Sequence, residues 1–112
     1  MNTVYFAVEG GYANWMRSLQ LESDGSYEAV FGDEVVSGST TPEQVRQIFD
    51  LLERSGLFDQ SRIFEAQGAD LQRYELQADD ATVVMFDTSI PAALSGAVEL
   101  LDELLLAAGH PE

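Results

Sequence analysis

The stretch Arg73-Tyr74-Glu75-Leu76-Gln77-Ala78-Asp79-Asp80-Ala81-Thr82-Val83-Val84-Met85-Phe86-Asp87 decides the fold. Tyr74, Leu76 and Ala78 alternate with polar residues, the period of a half-buried strand over Arg73 to Ala78. Asp79-Asp80 is turn chemistry, because short acidic side chains tolerate the backbone of a tight reversal. Thr82 to Asp87 then carries Val83-Val84-Met85-Phe86, a second β-forming run. Strands joined by so short a link are antiparallel, since a parallel pair needs a crossover of a dozen or more residues.

Beyond this hairpin, Ile90-Pro91 opens a helix running to Ala108. Leu94, Ala97, Val98, Leu101, Leu104 and Leu105 form its apolar stripe, Gly109 stops it, and the tail His110-Pro111-Glu112 is expected to fray. On the other side lies a connector containing Leu57-Phe58-Asp59, Ile63-Phe64 and Gly68-Ala69-Asp70. An earlier helix over Thr41 to Ser55 precedes it. Thr41 is the cap, Pro42 the first helical residue, Glu43 an acid at the positive dipole end, and Gln44 the expected partner in a capping box. Val45, Ile48, Phe49 and Leu52 mark its buried face, and Ser55-Gly56 closes it.

The N-terminal third reads as a three-strand meander. Thr3 to Val8 places Val4, Phe6 and Val8 on one face. A tip over Glu9 to Asn14 leads to a strand from Trp15, in which Trp15, Arg17, Leu19 and Leu21 alternate with Met16, Ser18, Gln20 and Glu22. Ser23-Asp24-Gly25-Ser26 turns the chain into Tyr27 to Phe31. Gly32 to Thr40 reads equally as a loop or as an irregular edge strand. The order β-β-β-α-β-β-α predicts an α+β fold with a mostly antiparallel sheet and two amphipathic helices packed on one face, in one domain over residues 1–112.

Composition narrows the function. Hydrophobic residues are 46% of the 112, and Leu, Ile, Val and Phe exceed a quarter of the chain. That lies above the roughly 20% below which acidic chains stay disordered. The longest uncharged run, Thr88 to Val98, is too short for the roughly 20 apolar residues of a membrane span. Met1-Asn2-Thr3-Val4-Tyr5-Phe6 lacks a basic leader region, so a cytoplasmic location is expected. Twenty acids stand against five basic residues, all arginine (Arg17, Arg46, Arg54, Arg62, Arg73), for a net charge of −15. Nucleic acid and anionic membrane would be repelled.

Catalytic chemistry finds little to work with. There is no cysteine, and the one histidine, His110, sits two residues from the end. Thiolate zinc sites, a cysteine nucleophile and a serine–histidine pair are therefore excluded or unsupported. Gly10-Gly11 lies between two strands with no Gly-Lys-Ser/Thr after it, so it reads as a hairpin and not as a phosphate loop. Asp33-Glu34, Asp79-Asp80 and Asp87 lack calcium-loop spacing and read as solvated turn acids. No enzyme, no cofactor and no metal site is expected. Binding chemistry remains. Tyr12 and Trp15 flank the glycine-rich tip, with Tyr12 the better contact candidate and Trp15 the better core candidate. Asp70 reads either as a local turn former or as a binding residue.

Taken in order, Val8-Glu9-Gly10-Gly11-Tyr12-Ala13, Thr41-Pro42-Glu43, Ser55-Gly56-Leu57-Phe58, Gly68-Ala69-Asp70 before Tyr74-Glu75-Leu76, and Pro91 with Leu94 in a Leu-rich final helix resemble emfourin, the family of small protein inhibitors of protealysin. The resemblance covers nearly the whole chain. It implies inhibition of a thermolysin-type zinc metallopeptidase by a domain that is monomeric when free. The expected contact residues are Glu9, Gly10, Gly11 and Tyr12, supported by Asp70, with a rigid tip entering the substrate cleft. Glu9 or Asp70 would bring a carboxylate near the peptidase zinc. The competing expectation is an acidic protein-interaction or regulatory module with no peptidase target. The acidity also fits a high-salt habitat, under either function.

Overall fold

The computed structural model describes residues 2–10 and 16–109. Seven strands form one sheet and two helices cover one of its faces. In chain order these are β1 (Thr3–Gly10), β2 (Arg17–Glu22), β3 (Ser26–Phe31), β4 (Glu34–Ser39), α1 (Pro42–Ser55), β5 (Arg62–Ile63), β6 (Gln72–Ala78), β7 (Ala81–Phe86) and α2 (Ala92–Gly109). Across the sheet the order is β4-β3-β2-β1-β6-β7-β5. Among the described residues, only the β5–β7 pair is parallel.

This is the expected α+β architecture with two strands more than the sequence order gave. Gly32 to Thr40 contains an edge strand, β4, in continuous register with β3 from Ser26↔Ser39 to Phe31↔Glu34. The connector contains β5, only two residues long, fixed to β7 where the Phe64 amide donates to the Val84 carbonyl at 2.8 Å. The first strand also runs further than expected. Glu9 and Gly10 pair with Arg73 and Gln72 of β6, so they belong to the ladder and not to the hairpin tip. At the other side of that hairpin β2 starts at Arg17, and Met16 is exposed.

The alternation decides which face is buried. Val4, Phe6 and Val8 of β1, Leu19 and Leu21 of β2, Tyr74, Leu76 and Ala78 of β6, and Val83 and Met85 of β7 all point to the helices. They meet Val45, Ile48, Phe49 and Leu52 of α1, and Leu94, Ala97, Val98, Leu101, Leu104 and Leu105 of α2, in a single core cluster. Both predicted helical stripes are therefore buried as read.

Helix α1 begins as its sequence demands, with one difference. The Thr41 hydroxyl accepts the Gln44 amide at 3.2 Å. The return arm of the capping box is replaced: the Gln44 side-chain oxygen accepts from the Thr40 hydroxyl. Thr40 is itself held by its amide donating to the Gly25 carbonyl at 2.9 Å, so the helix start is tied to the β2–β3 turn. Gly56 ends the helix at φ +68°. Among the described residues, no helix is long and apolar enough to cross a membrane.

Candidate protein-binding site

β1 and β6 are the most extensively paired strands among the described residues, and β1 is bonded to β2 on one side and to β6 on the other. Up to Val8 it is paired on both sides, and Glu9 and Gly10 continue the pairing with β6 alone. Glu9 lies opposite Arg73, whose Nη1 donates to Glu9 Oε1 at 3.2 Å while Nη2 donates to Glu75 Oε1 at 3.0 Å. One guanidinium thus holds two carboxylates on adjacent strands. The Glu9 side chain nonetheless keeps 45% of its surface in solvent.

Gly10 has φ +85°, and a Cβ there would stand 3.0 Å from the Leu71 carbonyl oxygen. Backbone meets backbone at this point, and glycine is what allows it. Leu71 follows Gly68-Ala69-Asp70, so the segment leading into β6 runs against the end of β1. Asp70 is exposed at φ +57°, a left-handed conformation that short acidic residues adopt more readily than most. Because Gln72 is the partner of Gly10, Asp70 sits two residues beyond that pairing, at the same end of the sheet. Of the expected contact residues, Glu9, Gly10 and Asp70 are brought to one end of the fold. Gly11 and Tyr12 lie outside the described residues, as do Trp15 and His110.

Neither the protein-family models nor the curated proteins contain a match to this chain.

The sequence reading passed over the groups that brace this end. Arg17 Nη2 donates to Asp102 Oδ1 at 3.0 Å, tying the start of β2 to the middle of α2. The Tyr74 hydroxyl donates to Gln72 Oε1 at 2.8 Å. Burial pushes the Tyr74 phenol above its ordinary value of 10.0, the negative charge of Asp102 adds to that shift, and Arg17 opposes it. The phenol therefore stays a neutral donor at physiological pH. The usable signal was scarcity: with five basic residues among 20 acids, each arginine on a strand was a candidate bridge.

The described residues bring two carboxylates, Glu9 and Asp70, to this end, with Arg73 on Glu9. Among the described residues, no three or more His, Cys, Asp or Glu are placed to hold a metal ion. Asp79 and Asp80 occupy the β6–β7 turn with φ +51° and +67°, the two left-handed positions of a tight hairpin. Their presence follows from turn geometry.

Proposed function

We propose that this domain is a non-catalytic inhibitor of a thermolysin-type zinc metallopeptidase, and that the chain end of β1 carries the contact: Glu9, Gly10, Gly11 and Tyr12, flanked by Asp70. The resemblance to emfourin supports the target class. The observation that carries the reading is the pairing of Glu9 and Gly10 with Arg73 and Gln72 of β6, at the end of a strand that is paired on both sides up to Val8, with Asp70 at the same end. Glu9 and Gly10, held in the ladder, lose little conformational freedom on docking, and such ordering is a main cost of binding for a flexible substrate. Glycine at Gly10 keeps the base of the segment narrow, and Tyr12 supplies a large side chain with few rotatable bonds. Of the two acids considered for approach to the peptidase zinc, Asp70 is the better suited, because Arg73 already engages Glu9.

A standard interface of about 1,600 Å² in total would need about 800 Å² from this domain. Its surface of 6525 Å² contains that several times over. The test is titration of the purified protein against a panel of thermolysin-like peptidases, including any encoded beside it. Competitive inhibition supports the reading. If no member is inhibited, the acidic interaction module without a peptidase target replaces it.

A further inference from the structure

The two edges of the sheet differ in a way that matters for binding. An edge strand exposes unpaired backbone donors and acceptors, and natural sheets blunt it by shortness, proline, lysine or a bulge. The β5 edge is blunted by shortness, being two residues long. The β4 edge has none of these four, and its single charged residue, Glu34, stands at its first position. It runs six residues as Glu34-Val35-Val36-Ser37-Gly38-Ser39, without proline or lysine, and its register with β3 skips no residue.

The turn before it fixes which groups face outward. Gly32 and Asp33 form a two-residue loop between the paired Phe31 and Glu34, with Gly32 at φ +60°, the first central position that glycine occupies in type II′ turns. The pair flanking such a loop exchanges both its hydrogen bonds, and bonding then alternates along the ladder. Glu34, Val36 and Gly38 accordingly bond to β3, while the amides and carbonyls of Val35 and Ser37 point away from the sheet.

Charge and shape select the occupant. The β3–β4 hairpin carries Glu28, Asp33 and Glu34 and no basic residue. On the face opposite the helices, Ser37 lies beside Glu28, and a shallow groove of about 340 Å³ opens there among Gln20, Glu22, Glu28 and Ser37. Glu22 is already engaged by the Thr3 hydroxyl and the Gln20 amide, whereas Glu28 is exposed. Val35, on the same face and two residues away, leaves 58% of its surface in solvent.

We propose that β4 receives an extended cationic segment of a partner protein as an eighth strand, with a lysine or arginine beside Ser37 and Glu28 and an aliphatic residue two positions away beside Val35. Main-chain hydrogen bonds to Val35 and Ser37 supply the attachment, and alternate side chains supply the choice of partner. A second copy of this chain is the wrong occupant, because it would bring the same three acids and a net charge of −15 against their equals. This surface is separate from the end of β1 and stands whether or not a peptidase is the target.

The test uses the full chain and a labelled peptide, acetyl-Thr-Lys-Thr-Val-Thr-Lys-Thr-amide, with its glutamate counterpart as control. We expect the lysine peptide to bind at least tenfold more tightly than the glutamate peptide. We also expect it to slow hydrogen exchange at the amides of Val35 and Ser37. The double variant Val35→Pro, Ser37→Pro removes only outward-facing amides, and should weaken binding at least tenfold with the parent's Tm. Undiminished binding by that variant would reduce the effect to unspecific charge attraction and overturn the proposal. If the variant does not fold, the exchange rates in the parent decide: rates at Val35 and Ser37 unchanged by peptide overturn it. Absence of peptide binding, or a parent dimer in sedimentation that the proline variant loses, overturns it as well.

Discussion

Arg73 shows how a single side chain sets the properties of the candidate site. It joins Glu9 and Glu75 across two strands, but at an exposure where such ion pairs contribute about 0–1 kcal/mol. Its importance is positional, whereas Gly10 is constrained by the backbone. With φ +85° and a carbonyl oxygen where a Cβ would go, Gly10→Ala should cost about 1–3 kcal/mol, measured by chemical denaturation. An unchanged midpoint would mean that the end of β1 relaxes freely and is no rigid base. Contact is tested one step further along. Tyr12→Ala combined with Gly11→Arg should raise the inhibition constant at least about a hundredfold, roughly 2.7 kcal/mol, with Tm nearly unchanged. Full inhibition by this double variant would move the contact elsewhere. Thr3 permits a test with pH. Its hydroxyl, donating to Glu22 Oε2 at 2.6 Å, is the main reason the Glu22 carboxyl titrates below its ordinary value of 4.5, with Gln20 assisting. A depressed carboxyl pKa adds stability above its unfolded value and loses it as pH falls through the folded value. Thr3→Val should therefore be less stable than the parent at pH 7, and the gap should close below pH 4.5. A gap that persists unchanged in acid would assign the loss to packing instead.

Among the elements, α2 is the one whose removal would open the core. Leu101 is fully buried at its middle, so Leu101→Ala should cost about 2–5 kcal/mol, and a loss below about 0.5 kcal/mol in denaturant unfolding would contradict the packing. Elements of this kind were legible in the sequence because burial on one face enforces a period. The α1 and α2 stripes and the alternation of β6 were read residue for residue. The β4 sequence fits a loop and a strand equally for the complementary reason. Val35 and Val36 lie on opposite faces of an edge strand, and only one side of that strand is paired, so little selects a clean alternation. β5 was missed because two residues carry no period. Tertiary bonds define it, from Phe64 to Val84 and from the Thr82 amide to the Ser61 hydroxyl at 2.9 Å. At the candidate site, glycine and aspartate at 10 and 70 were visible as unusual residues. Their proximity was not, because it depends on pairing between strands more than 60 positions apart.

At the scale of the molecule, charge is the dominant feature. Twenty acids share a body of 36 × 32 × 20 Å with five arginines. Four of those arginines are already in ion pairs: Arg17 with Asp102, Arg54 with Asp50, Arg62 with Asp59, and Arg73 with Glu9 and Glu75. Salt acts on both terms in opposite directions. It weakens these pairs, mostly surface contacts of small individual value, and it screens the mutual repulsion of the unpaired carboxylates. The screening length decides which wins. At about 0.01 M salt it is about 30 Å, comparable to the whole molecule, so nearly every carboxylate repels nearly every other. At about 0.1 M it falls to about 10 Å, half the shortest dimension, and only near neighbours interact. Unfolding separates the charges, so repulsion left unscreened favours the unfolded chain. Tm should therefore rise with sodium chloride, with most of the gain complete by a few hundred millimolar. A steady fall over the same range would mean that the arginine pairs outweigh the repulsion.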